Sequence, residues 1–224
     1  MKKKHLEMIL DNLKPHPKPK SYLEQYTIEG KLASELLFFA MEDIKDNFVI
    51  DLGCGTGRLS IGAKLIGANR VLGIDIDNET IESAKNNLEK LKEIPTVFNL
   101  NLDPNNIIKE VCFICKDVKY IDKNCIDNYI NSNNKNIKRI VIQNPPFGSQ
   151  KKYADRIFLD RSLEIGDIVY TIHNSSTRDF IINYISKKNR RISNIFESRF
   201  RIPKIYNFHS KRYIEIPVDI YRIV

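Results

Sequence analysis

At 224 residues, 42% of them hydrophobic and 29% charged, the chain suits one domain with a sizeable core and is too mixed in composition for a disordered or fibrous protein. No apolar run approaches the roughly 20 residues that span a bilayer, and Leu6–Leu13, behind the basic start, is too short and too charged for a secretory signal. The expected compartment is therefore the cytoplasm. The net charge of +8 is segregated. Residues 178–224 hold eleven Lys/Arg against four Asp/Glu, residues 1–20 hold six against two, and the stretch between is slightly acidic. A basic face for a polyanion beside a near-neutral core is the expectation.

Residues 1–20 read as a basic N-terminal extension ending in Lys14-Pro-His-Pro-Lys-Pro-Lys20, whose prolines mark a connector. Residues 21–224 read as one domain. The apolar spacing from Ser21 to about Ile44 fits a helix, with Gly30 a break near its start. Phe48–Leu52 predicts a buried strand, Arg58–Ile66 a helix, Arg70–Ile74 a strand, and Asn78–Leu91 a helix with Asn78 as N-cap and Ile81, Ala84 and Leu88 inward. Pro95–Asn136 is rich in Asn, Lys and Asp and reads as a surface connection, with an exposed edge strand possible at Thr96–Leu102. Val111–Cys115 and Ile137–Ile142 are further apolar runs. Ile157–Leu163 and Asp179–Ser186 predict helices on either side of a strand at Ile168–Ile172. Ile192–Phe200 and Tyr213–Ile223 are strand-like, joined by a basic connection.

This alternation predicts an α/β, Rossmann-like fold: a mostly parallel, doubly wound sheet of seven strands, helices on both faces, closed by a C-terminal antiparallel pair. Cys112 and Cys115 have C-x-x-C spacing, but a structural zinc wants a second pair and a redox pair should open a helix. Core packing is the better reading, and no metal is expected.

Asp51-Leu-Gly-Cys-Gly-Thr-Gly57 follows the first strand. Such glycines let backbone amides approach a nucleoside cofactor at a helix start. The residue in place of a third dinucleotide glycine is Arg58, and the Walker lysine is missing, which removes nicotinamide cofactors and ATP. The spacing matches the S-adenosylmethionine loop of class I methyltransferases. Gly53, Gly55 and Gly57 would cradle that cofactor. Asp75, at the end of the second strand, would accept from its ribose hydroxyls, Asp117 from its adenine amine, and Asp51 would organise the loop and the methionine ammonium.

Downstream, Asn144-Pro-Pro-Phe-Gly148 places an amide, two rigid carbonyls and an aromatic ring in one loop. Asn144 and the Pro145 carbonyl can take the two hydrogens of an exocyclic amine, Pro146 stiffens the turn, and Phe147 can stack on the base. Arg178, Arg199, Arg201, Lys204, His209, Lys211 and Arg212 are the candidate RNA contacts of the basic C-terminal third.

With these residues in place, the chain resembles the class I N6-adenine methyltransferases. In particular it is similar to the ribosomal-RNA adenosine methyltransferases of the methyltransferase-like protein five family and their archaeal relatives. The resemblance rests on Leu23-Glu-Gln-Tyr26, Asp51–Gly57, Leu59-Ser-Ile-Gly62, Gly73-Ile-Asp-Ile-Asp77, Asn144–Gly148, His173-Asn-Ser-Ser-Thr-Arg178 and Tyr206-Asn-Phe-His209. It implies S-adenosylmethionine as donor and an adenine of small-subunit rRNA as acceptor. It adds Gln25, Ile28, Thr56 and Arg58 to the cofactor site, beside Gly53, Asp75 and Asp117. It also implies, for eukaryotic members, a small zinc-binding activator subunit pairing along an exposed strand. Two alternatives stay open from the residues: a protein-glutamine N5-methyltransferase acting on a translation factor, and a non-catalytic RNA-binding module retaining the fold.

Overall fold

The computed structural model describes residues 1–93, 103–130, 136–147, 154–203 and 213–224. The edge strand expected at 96–102 and the basic residues Lys204, His209, Lys211 and Arg212 lie outside them. Seven strands form one sheet in the order β3-β2-β1-β4-β5-β7-β6. β1 (Phe48–Leu52), β2 (Arg70–Asp75), β3 (Val111–Cys115), β4 (Arg139–Gln143) and β5 (Ile168–Asn174) are parallel. β7 (Tyr213–Ile223) runs antiparallel between β5 and β6 (Ile192–Pro203).

The central strands are apolar on both faces because helices cover both. Val49, Val71, Ile140 and Ile142 face one core, and Ile50, Leu52, Leu72, Ile74 and Val141 face the other. The first core is closed by α1 (Lys3–Asn12), α2 (Gly30–Phe39), α3 (Met41–Ile44), α4 (Arg58–Leu65), α5 (Asn78–Glu89) and α6 (Pro104–Lys109). The second is closed by α7 (Lys123–Asp127), α8 (Ala154–Ile165) and α9 (Arg178–Ser186). The expected fold class is the observed one.

Local departures have physical reasons. Within the basic first segment, α1 buries Leu6, Ile9 and Leu10 completely. Truncating one such side chain costs ~2–5 kcal/mol, so this helix is part of the core while its lysines face solvent. The helix expected from Ser21 begins only at Gly30. There the chain passes so close to α1 that an added Cβ would sit 2.5 Å from the Glu7 carbonyl oxygen, and the Asp11 carboxylate accepts from the Gly30 N–H at 2.7 Å. Asp77, rather than Asn78, caps α5 by accepting from the Glu79 N–H at 3.1 Å. The 95–136 connection holds α6, β3 and α7. Cys112 and Cys115, expected in the core, are exposed, because β3 is the outermost strand of the sheet among the described residues. Among the described residues no group of His, Cys, Asp or Glu could hold a metal ion.

Candidate active site at the carboxyl ends of β1 and β4

β1 lies between β2 and β4, so the connections leaving β1 and β4 depart to opposite faces and open a crevice at their carboxyl ends. Register pairs Leu52 with Gln143, which sets Gly53 beside Asn144. A cavity of about 280 Å³ fills this crevice, walled by the glycine loop, the Asn144 loop, residues 22–28 and the ends of β2 and β3.

The glycine loop has the conformation its composition demands. Gly53, Gly55 and Gly57 have φ of +70°, +54° and +83°, a region that side chains with a Cβ rarely enter. A Cβ on Gly53 or Gly57 would also strike Phe158 or Phe113, whereas over Gly55 there is open space toward the cavity. Gly57 does not line the cavity; it caps α4. Arg58 reaches the wall, but its guanidinium is spent on the Ile28 carbonyl at 2.8 Å and the Leu13 carbonyl at 3.0 Å. It ties the segment carrying Ile28 to the loop.

Asp75 ends β2 at the cavity wall. One oxygen accepts from Gly55 N–H at 2.9 Å and the other from Asp77 N–H at 3.0 Å, which leaves each a lone pair for a further donor. Burial raises its pKa, opposed by those two backbone bonds. Asp77, one turn on, gathers the N-terminal segment. Lys20 Nζ lies 2.8 Å and Gln25 Nε2 2.9 Å from its carboxylate. Despite the cost of burial, the Gln25 and Lys20 hydrogen bonds hold Asp77 down at about 2. His16 adds a 2.5 Å contact from Nε2 to Thr80 Oγ1. Residues 14–28 thus form a strap over the cofactor side. Sequence reading missed His16 because a proline-rich connector gave no sign of being buttoned down.

Asn144 and Pro145 lead the acceptor loop out of β4. Gln143, fully buried, anchors it: Nε2 donates to Thr171 Oγ1 on β5 at 3.1 Å and to Ser162 Oγ on α8 at 3.4 Å. His173 Nε2 lies 2.9 Å from the same Thr171 hydroxyl, and burial pushes the His173 pKa down to about 3, so it is a neutral packed histidine. The Asn144 Oδ1 is buried with no hydrogen-bond partner among the described residues. An unmet buried acceptor costs ~1–3 kcal/mol and suits a ligand that brings an N–H.

Asp51 does not line the cavity. It is fully buried, with Ser60 Oγ donating at 2.6 Å, and burial pushes its pKa up to about 7 against the Ser60 bonds. Direct contact with a cofactor ammonium gives way to a role inside the loop. An acid whose folded pKa exceeds its unfolded value near 4 takes up a proton on folding, so stability falls as pH rises from about 4 to about 7. Asp51→Asn should therefore raise stability by up to about 4 kcal/mol at pH 8 and by less than half of that, about 1.5 kcal/mol, at pH 5. Chemical denaturation at both pH values checks this; equal shifts would clear the carboxylate of responsibility.

The structure brings Gln25, Ile28, Gly53, Gly55, Thr56, Arg58, Asp75, Asp117, Asn144, Pro145, Pro146 and Phe147 to one cavity. Asp117 caps the turn after β3 by accepting from Lys119 N–H at 3.0 Å. Ile76, half exposed directly after Asp75, and Val118 add apolar wall for a purine. Open backbone at Gly55, an acceptor-only carboxylate at Asp75 and an orphaned amide oxygen at Asn144 fit a nucleoside cofactor beside an amine acceptor. Arg178 is elsewhere and occupied: its guanidinium binds Asp219 through two bonds of 2.7 Å and Glu197 through a third. It braces β7 instead of presenting a free cation to RNA. Arg199 and Arg201 are exposed, each beside Glu215.

Comparison with known proteins agrees with this geometry. The family model of ribosomal protein L11 methyltransferase (PrmA) matches residues 34–144, from α2 to Asn144. The chain is 55% identical to an uncharacterised protein of Methanocaldococcus jannaschii, over 100% of this chain and 94% of that one. It is 32% identical to the rRNA N(6)-adenosine-methyltransferase METTL5 of Danio rerio, over 99% of this chain and 98% of that one. A crystal structure from Pyrococcus horikoshii, named as a candidate RNA methyltransferase, superposes with a TM-score of 0.80 at 36% identity, covering 100% of this chain and 97% of that one.

Proposed function

The chain belongs to the METTL5 family of rRNA N6-adenosine methyltransferases, and from that premise we propose that it transfers a methyl group from S-adenosylmethionine to N6 of an adenine in RNA, most simply small-subunit rRNA. The observation that carries this reading is the orphaned Asn144 amide oxygen, one loop away from a nucleoside cradle.

When bound, the cofactor supplies a methyl group on a sulfonium, already activated as an electrophile. Gly53, Gly55 and Thr56 would hold it against the glycine loop, Asp75 would accept from its ribose hydroxyls, and Asp117, Ile76 and Val118 would border its purine. Ile28 and Gln25 close the strap, which Asp77 and Arg58 keep in place. At the acceptor, Asn144 Oδ1 and the Pro145 carbonyl draw the two N6 hydrogens. The amine lone pair is thereby released from the ring and aimed at the methyl group. Phe147 stacks on the base, as enzymes acting on an extruded base require. The product nitrogen is acidic enough to lose its proton without a strong base.

Three further assignments belong to the same proposal. RNA docks on the basic end of β6 and β7, where Arg199 and Arg201 precede Lys204, His209, Lys211 and Arg212. The outer edge of β3, which pairs with no further strand among the described residues, receives a small zinc-binding subunit of the kind the resemblance implies. The enzyme works in the cytoplasm; among the described residues no helix is long and apolar enough to cross a membrane.

Mass-spectrometric mapping of N6-methyladenosine in rRNA from cells with and without the gene tests the reading. Loss of one modified adenine supports it, and an unchanged profile refutes it. Neutralising Arg199, Lys204, Lys211 and Arg212 together should lower RNA affinity at least tenfold and flatten its salt dependence by several units of slope. Filter binding across a salt series reads both, and an unaltered slope would place the RNA elsewhere.

A further inference from the structure

Beyond Val218, β7 no longer pairs with β5, and residues 199–203 and 213–217 pair, among the described residues, only with each other. They form a two-stranded ribbon projecting from the carboxyl end of the sheet, the same end as the acceptor loop. Alternation places Arg199 and Arg201 on one face of β6 and Phe200 on the other. Phe200 is completely buried, lines the cavity, and meets Phe147 edge to face, with ring centroids 5.9 Å apart at 67°. Below it the strand is fixed to α2: Ser198 donates to Glu35, and Phe196 packs on Phe39 with centroids 5.8 Å apart. The base-stacking ring of the acceptor loop is thus held by the strand that carries the candidate RNA-contacting arginines.

We propose that Phe200 is a positioning residue for methyl transfer, fixing the plane of Phe147 so that an adenine delivered from RNA on the ribbon stacks in line with the methyl group. This rests on the N6-adenine reading above. Proline holds the loop's direction, but the Phe147 side chain is half-buried and can rotate about χ1 and χ2. An edge-to-face partner on a rigid strand removes that freedom, and such a pair contributes beyond the area it buries. The two arginines flanking Phe200 place RNA docking and base capture within three consecutive residues.

The test uses protein purified from its own cells, with any bound subunit, and rRNA extracted from cells lacking the gene. Phe200→Leu keeps the apolar wall and loses the ring edge. It should lower the single-turnover rate about fivefold to tenfold, with cofactor affinity and RNA KM close to wild type and the melting temperature lowered by only a few degrees, about what changing one buried ring costs. Phe200→Tyr, which restores the ring edge, should recover most of the rate. In a Phe147→Leu background, Phe200→Leu should cause little further loss, because the ring it positions is gone. A Phe200→Leu rate equal to wild type, a parallel fall in cofactor affinity, or additive losses in the double variant would each overturn the positioning role. If wild type itself leaves every adenine unmodified, the N6-adenine reading fails and the inference falls with it.

Discussion

Asn144→Ala is expected to lower single-turnover methyl transfer by roughly 10²–10³-fold, the range seen when one preorganised polar group is removed from a transition-state site, while S-adenosylmethionine affinity stays within about twofold. The reason lies in where Asn144 sits. Its Oδ1 is sealed from solvent and has no partner among the described residues, so the free enzyme already bears the desolvation cost of an acceptor aimed at an absent donor. Binding adenine repays it only when N6 presents a hydrogen there. The interaction strengthens as the nitrogen becomes cationic, which makes it larger in the transition state than in the ground state. The cofactor cradle is built from β1, β2 and residues 14–28, none of which depends on this side chain, and Gln143 holds the loop base through β5 and α8. Isothermal titration with S-adenosylmethionine, beside rapid-quench methylation of unmodified rRNA, separates the two quantities. A parallel loss of cofactor affinity would show that Asn144 is structural, and a small rate effect would remove it from the acceptor site.

Much of this site was legible because its chemistry is local in sequence. Asp51–Gly57 is short and has one physical solution, three left-handed glycines between a buried strand and a helix. Asn144–Phe147 has its acceptors and rigid turn in consecutive positions. Asp75 could be placed from the end of an apolar run alone. What sequence did not reveal depends on distant segments meeting. Nothing near Arg58 indicates that its guanidinium closes on Leu13 and Ile28, or that Asp77, a plausible surface carboxylate, fastens Lys20 and Gln25. Arg178 looked like a free cation because its partners Asp219 and Glu197 lie 41 and 19 residues away and arrive through antiparallel pairing. Phe200 looked like an ordinary strand residue, and its contact with Phe147 appears only once β6 is laid at the sheet's far edge. α1 was read by its charge, which describes one face of the helix, while Leu6, Ile9 and Leu10 describe the other.

The opposite separation is expected at Asp75. Asp75→Ala should weaken S-adenosylmethionine binding by roughly 10²-fold or more, since each hydrogen bond to an ionised acceptor contributes ~1.5–3 kcal/mol and two ribose hydroxyls are lost together. Each carboxylate oxygen already carries one backbone N–H, from Gly55 and from Asp77. The substitution therefore also releases the glycine loop and the β2–α5 turn, and part of the lost affinity reflects loop disorder instead of missing ribose contacts. Cofactor analogues lacking one ribose hydroxyl resolve the two parts. In wild type, removing a hydroxyl should weaken binding by about tenfold or more, and in Asp75→Ala the same deletion should have little effect. At saturating cofactor, the variant's methyl-transfer rate should recover to within about tenfold of wild type, because Asn144, Pro145 and Phe147 stand on β4 and not on β2. If the rate stayed at the Asn144→Ala level under saturation, the division between a cofactor half built on β1 and β2 and an acceptor half built on β4 and β6 would be wrong.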